Sequence, residues 1–184
     1  MHRLLRVAFF FSLLALVAPV DAQVKYSTSK GEISFASNAA LELITAKSTD
    51  TQGIIDPLTH QFAFSVAIQS FKGFNSDLQR QHFNDNYMES GKYPRATFAG
   101  KIIEQLDFDK DSTYIVRAKG ELDIHGQKQS RIIRSKVTVK NKSLQVESDF
   151  SVPLADHNIA VPRIVNQKIA SEIEVSFRAT LLRQ

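Results

Sequence analysis

After about residue 30, apolar and polar side chains alternate with a period of two through most of the chain. In FAFSVAIQSF, residues 62–71, the alternation sets Phe62, Phe64, Val66 and Ile68 on one face and Ala63, Ser65, Ala67 and Gln69 on the other. Strands patterned in this way are dry on one side and wet on the other. The spacing predicts eight of them, over 32–37, 41–48, 61–70, 96–103, 113–124, 130–140, 143–153 and 169–182. In the fifth, Tyr114, Val116, Ala118, Gly120, Leu122 and Ile124 share the dry face. In the last, Ile169, Ser171, Ile173, Val175, Phe177, Ala179 and Leu181 do.

The connections are short and polar, notably 106–112 and 140–143, so successive strands lie side by side in an antiparallel meander. One segment departs from this pattern. Ser76 and Gln79 form an S-x-x-Q capping box, and Leu78, His82, Phe83, Asn86, Tyr87 and Met88 follow helical spacing, which predicts a helix over 77–90 stopped by Gly91 and Pro94. One helix with one apolar stripe cannot dry the inner faces of eight strands. The strands must cover one another, either as a closed barrel or as a filled sandwich. Long strands and short hairpins favour the barrel, which also removes exposed edges. The predicted fold class is therefore mainly β, a single antiparallel eight-stranded barrel with one α-helix. Ala96, Gly100, Ala118, Gly120, Ser148, Ser171 and Ala179 are small dry-face residues interspersed among Phe62, Phe98, Phe150 and Phe177, a mixture that suggests an interior side chains do not completely fill.

Composition adds a location and removes several chemistries. Arg3 and Arg6 precede an apolar run over 7–17, and Val20 and Ala22 precede Gln23, the layout of a secretory signal peptide over 1–22. The run is shorter than the roughly 20 residues that span a bilayer. The expected mature protein is one soluble domain over 23–184, periplasmic or secreted, without stable membrane insertion. The chain has no cysteine, so it uses no disulfide, thiol nucleophile or cysteine-linked lipid anchor. Its net charge of +4 gives no reason to expect nucleic acid.

Candidate chemistry is sparse. His60, His82, His125 and His157 lack metal-ligand spacing, and no cofactor motif appears. Two roles are open to His125 in Ile124-His125-Gly126: a hydrogen-bonding turn position and contact with a ligand head group. Asp107, Asp109 and Asp111 begin like a calcium loop, but Ser112 and Ala118 stand where the pattern needs glycine and glutamate, so a solvated hairpin tip is expected. Arg134, Lys136 and Lys140 form an outward basic stripe. No G-x-S-x-G elbow, phosphate loop or paired-carboxylate signal is present, so binding rather than catalysis is expected.

Three stretches, HFNDNYMESGKYPRATFAGKI, YIVRAKGELDIHGQKQ and ESDFSVPLADHNIAVP, resemble in order and spacing the signature regions of the YceI-like family of exported bacterial lipid-binding proteins. The run Tyr93 to Phe98 and Ile124-His125-Gly126 carry most of the resemblance, which extends from about Gly53 to Ala179. It implies an extended lipocalin-like barrel whose lumen binds a polyisoprenoid or fatty-acyl chain, and it is compatible with a homodimer. The opening YSTSKGEISF keeps an aromatic, Tyr26, but lacks the aspartate and histidine of the family pattern, which leaves closure at the first strand open. On this reading the lumen-lining residues are Phe62, Phe64, Val66, Ile68, Phe98, Tyr114, Val116, Phe150, Val152 and Phe177. The rival reading is a filled β-sandwich acting as an interaction or adhesion module without a small-molecule ligand.

Overall fold

Inward apolar and outward polar side chains sort the chain into eight strands, and the computed structural model describes them within residues 24–184. They are β1 (Tyr26–Asn38), β2 (Leu43–Ile55), β3 (Gln61–Ala67), β4 (Arg95–Ile102), β5 (Ser112–Ile124), β6 (Gln127–Lys140), β7 (Ser143–Pro153) and β8 (Glu172–Arg183). Each pairs antiparallel with the next, and β8 returns to β1, closing the barrel in chain order. The sandwich alternative is thereby excluded. The expected signal peptide over 1–22 lies outside the described residues.

Closure runs through the first residue of β1. Tyr26 pairs with Ile55 of β2 and with Arg183 of β8, so β1 begins at Tyr26 rather than at 32. The earlier start was hidden because register shifts on either side of Gly31 break the period-two pattern there. A Cβ on Gly31 would lie 3.2 Å from the Thr51 Cβ and 3.3 Å from that of Ala179, so the bulge is packed tightly against both neighbouring strands. Gly100 and Gly120 face each other on β4 and β5. A Cβ on Gly100 would come within 2.1 Å of the Lys119 carbonyl oxygen, the close backbone approach of a barrel corner.

One end of the barrel is sealed. The loop between β4 and β5, expected to be a polar turn, folds Leu106 and Phe108 under the strands, where both are buried. Tyr26 stacks on Phe108 at 5.8 Å and donates its hydroxyl to the Phe108 carbonyl oxygen at 3.2 Å. Burial raises the Tyr26 hydroxyl above the usual phenol pKa, with the nearby Arg183 opposing. Leu144 and Leu181 are completely buried beside this plug. The aspartates of the loop stay at the surface, where an Asp107 carboxylate oxygen accepts the Asp109 backbone N–H at 3.0 Å.

A lid covers the other end. After Ala67 the chain leaves the sheet in a 3-10 turn (Ile68–Ser70), so Ile68 is buried on a turn rather than in a strand. The predicted helix is α1 (Asp77–His82), continued by a π-helical turn (Phe83–Tyr87). The forward half of the capping box forms, the Ser76 hydroxyl accepting the Gln79 backbone N–H at 3.1 Å, while the Gln79 side-chain oxygen reaches one residue further back and accepts the Asn75 N–H at 3.0 Å. β8 begins at Glu172 rather than 169, because Ile169 closes a turn with its backbone N–H on the Val165 carbonyl at 3.1 Å.

Candidate functional site

The barrel encloses a cavity of about 530 Å³ that runs from the lid down between the strands. On β7 its lining side chains are Val146, Ser148, Phe150 and Val152, a span of roughly 20 Å along the strand at about 3.3 Å per residue. Strand tilt of about 40° converts this to about 15 Å of depth. The sealed end contributes nothing to the lining: Tyr26, Leu106, Phe108, Leu144 and Leu181 all lie below it. The site is therefore a cup with a solid base.

Four phenylalanines shape its waist. Phe62 lies 4.9 Å from Phe98, and Phe64 reaches across the barrel to Phe177 at 5.0 Å. Phe64 can lie in this way because Gly53 faces it on β2, where a Cβ would stand 2.1 Å from the ring. A second aromatic group closes the mouth. Phe35 of β1 contacts Phe83 of the π turn at 5.4 Å, Phe71 at 5.5 Å and Phe74 at 6.0 Å. The lid is otherwise held by polar contacts at its rim. The Gln79 side-chain nitrogen donates to Glu42 at 3.0 Å, and that of Asn75 to the Leu43 carbonyl at 3.0 Å. No side chain of α1 is buried.

The ionisable residues of the lining, Glu42, His82, Tyr87 and Lys168, all belong to segments at the mouth. Below them the polar groups are hydroxyls. Ser135 and Ser148, opposite each other on β6 and β7, place their Oγ atoms 2.6 Å apart. Thr51, across the barrel on β2, buries a hydroxyl that has no hydrogen-bond partner. Such a lining can hold apolar carbon by exclusion of water, with each buried methylene contributing about 0.8 kcal/mol. Among the described residues no group of three or more metal-ligating side chains occurs, and no helix is long and apolar enough to cross a membrane.

Nine of the residues singled out from the alternation lie on this lining: Phe62, Phe64, Val66, Ile68, Phe98, Val116, Phe150, Val152 and Phe177. Tyr114 does not. It shares the inward face of β5 but sits towards the base, where its hydroxyl meets the Asp107 backbone N–H and carbonyl at 3.4 Å each and steadies the plug. His125 also lies off the cavity. With φ of 55° it starts the β5–β6 turn, packs edge-on against Tyr93 at 4.6 Å, and bonds Glu89 at 2.6 Å and the His157 carbonyl oxygen at 3.1 Å. Both ring nitrogens are thus engaged in bracing the mouth segments. The alternation did not point to Phe35, Phe71, Phe74 and Phe83 as lining residues. Of these, Phe83 was on the helical stripe, and its role follows once the helix is known to lie over the mouth.

Several solved structures share this fold at low sequence identity. A polyisoprenoid-binding domain from Saccharophagus degradans implicated in plant cell wall breakdown is similar with a TM-score of 0.73 at 15% identity, covering 88% of this chain and 99% of that one. Burkholderia cenocepacia BcnA gives 0.67 at 14% identity over 82% and 95% of the two chains. The Campylobacter jejuni YCEI protein gives 0.56 at 15% identity over 96% and 99%. A search of curated protein sequences finds no match. The sequence itself matches the YceI-like domain over residues 19–181, nearly the whole chain, and the chain therefore belongs to the YceI-like family.

Proposed function

We propose that the protein is an exported, soluble binding protein that holds one long apolar lipid, a polyisoprenoid or fatty-acyl chain, in the barrel lumen without transforming it. The observation that carries this reading is the cup itself, about 530 Å³ enclosed by apolar side chains with charge confined to its mouth. A volume in this range suits a small-molecule ligand. The polyisoprenoid-binding description of the Saccharophagus degradans relative supports a chain of this kind. The export reading rests on the residues over 1–22.

The test is native purification from the exported fraction, organic extraction of the protein, and mass spectrometry of both. The expected result is a protein beginning at Gln23 and a co-purifying lipid with a long apolar chain. Binding of a homologous acyl or prenyl series should then tighten roughly fourfold per added methylene until the cup is full. An affinity that is flat across chain length would overturn the reading.

A further inference from the structure

Two serine pairs in this barrel have the same geometry and different hydrogen-bond accounts. The Ser48 and Ser70 Oγ atoms lie 2.6 Å apart, and Ser70 donates onward to the Ala67 carbonyl oxygen at 2.6 Å. The Ser48 proton therefore goes to Ser70, and both protons are used. The Ser135 and Ser148 Oγ atoms are also 2.6 Å apart, both residues are buried, and both line the cup. Neither hydroxyl has any other hydrogen-bond partner among the described residues. Each carries one proton. One proton bridges the two oxygens, and the other has no protein acceptor.

That spare donor faces a lumen whose other walls are mostly carbon. Seating a pure hydrocarbon against it strips it of water and leaves it unpaired, which weakens binding. Seating an acceptor oxygen there satisfies it. A charged oxygen is disfavoured, because no cation lines the cup below the mouth and a carboxylate would lose its hydration uncompensated. Ser148 lies about 13 Å along β7 from Val152 at the upper rim, so the acceptor would be held deep in the cup. The unpartnered Thr51 hydroxyl on the other wall adds a second buried donor.

Building on the lipid-binding reading, we propose that the lumen selects chains bearing an uncharged acceptor oxygen, as in a ketone, ester or amide, and that the Ser135–Ser148 pair receives it. The test uses n-hexadecane and the isomeric hexadecanones, which keep length nearly constant while the carbonyl moves along the chain. Displacement of a fluorescent acyl probe gives the affinities. In the wild type, affinity should peak for carbonyls over a narrow range of positions, about five- to tenfold above hexadecane, the contribution of one neutral hydrogen bond. The infrared carbonyl stretch of the best ketone should shift to lower frequency when bound.

Ser148→Ala leaves one hydroxyl with one free proton and should keep a preference. Ser135→Ala/Ser148→Ala removes every proton of the pair, leaves no partner stranded, and should erase the preference while hexadecane binds at least as well. A flat wild-type profile, an unshifted stretch, or a peak that survives in the folded double variant would overturn the inference while leaving chain binding intact. Failure of every chain to bind, hexadecane included, would overturn the lipid reading and this one with it.

Discussion

Phe64→Ala should lengthen the chain that fits best. The Phe64 ring spans the waist, 5.0 Å from Phe177 and 6.1 Å from Phe62, and borders the cavity. Truncating a fully buried phenylalanine costs about 3–5 kcal/mol. Phe64 is only half-buried and already faces open space, so the expected loss of stability is lower, about 2–3 kcal/mol. The vacated room accepts about three or four more methylenes at about 0.8 kcal/mol each, or roughly 2.5–3 kcal/mol for a chain long enough to use it. On the order of a hundredfold in Kd separates that chain from one that stops at the wild-type optimum. Saturated acyl chains of increasing length, titrated by displacement into both proteins after circular dichroism shows each to be folded, read this out directly. The optimum should move to longer chains in the variant, with short chains binding more weakly than to the wild type. An unchanged optimum in a folded Phe64→Ala protein would refute the placement of the chain through the waist.

Two further outcomes follow from the lid and the outer wall. Gln79→Ala removes both the tether to Glu42 and the acceptor of the Asn75 backbone N–H, so stopped-flow displacement should show a bound chain released several-fold faster, with thermal stability nearly unchanged because nothing on α1 is buried. Unchanged release would show that the lid does not gate the mouth. Hydrogen bonds from Arg178 and Ser176 hold the Asp149 carboxyl below the ordinary aspartate range, so their stabilisation is present above the unfolded carboxylate pKa and fades as pH falls towards the folded one. Asp149→Asn should therefore melt below the wild type at neutral pH, with the gap closing in acid. A gap constant with pH would contradict this.

The parts of the molecule legible in the sequence are those in which one physical rule acts alone. β5 and β7 obey strict alternation, and their predicted spans agree with the observed ones to within a residue. The Ser76 capping box marked the helix start because it is a local hydrogen-bond pattern. What stayed hidden needed a second element to be visible. The β1 bulge at Gly31 exists because Thr51 and Ala179 crowd it from the neighbouring strands. Leu106 and Phe108 sit among aspartates in the sequence, and only the empty space beneath a closed barrel makes them a plug. Tyr114 illustrates the converse limit. Alternation assigns a face and is silent about height, so it could not separate a residue steadying the base from those around the cavity.

The sealed base imposes an order on traffic. With Phe108 locked under Tyr26 and Leu106 buried in the same cluster, a chain has no rear exit, and whichever end goes in first must come out last. If the protein carries the lipid proposed for it, handover resembles drawing a sword from a scabbard: the receiving molecule must take hold of the exposed end while the remainder is still sheathed. The barrier to transfer is spread over many small losses of contact, one methylene at a time, and an acceptor seated against the mouth offsets each loss as it occurs. Release into plain water, which offsets none of them, becomes slower with every carbon added to the chain.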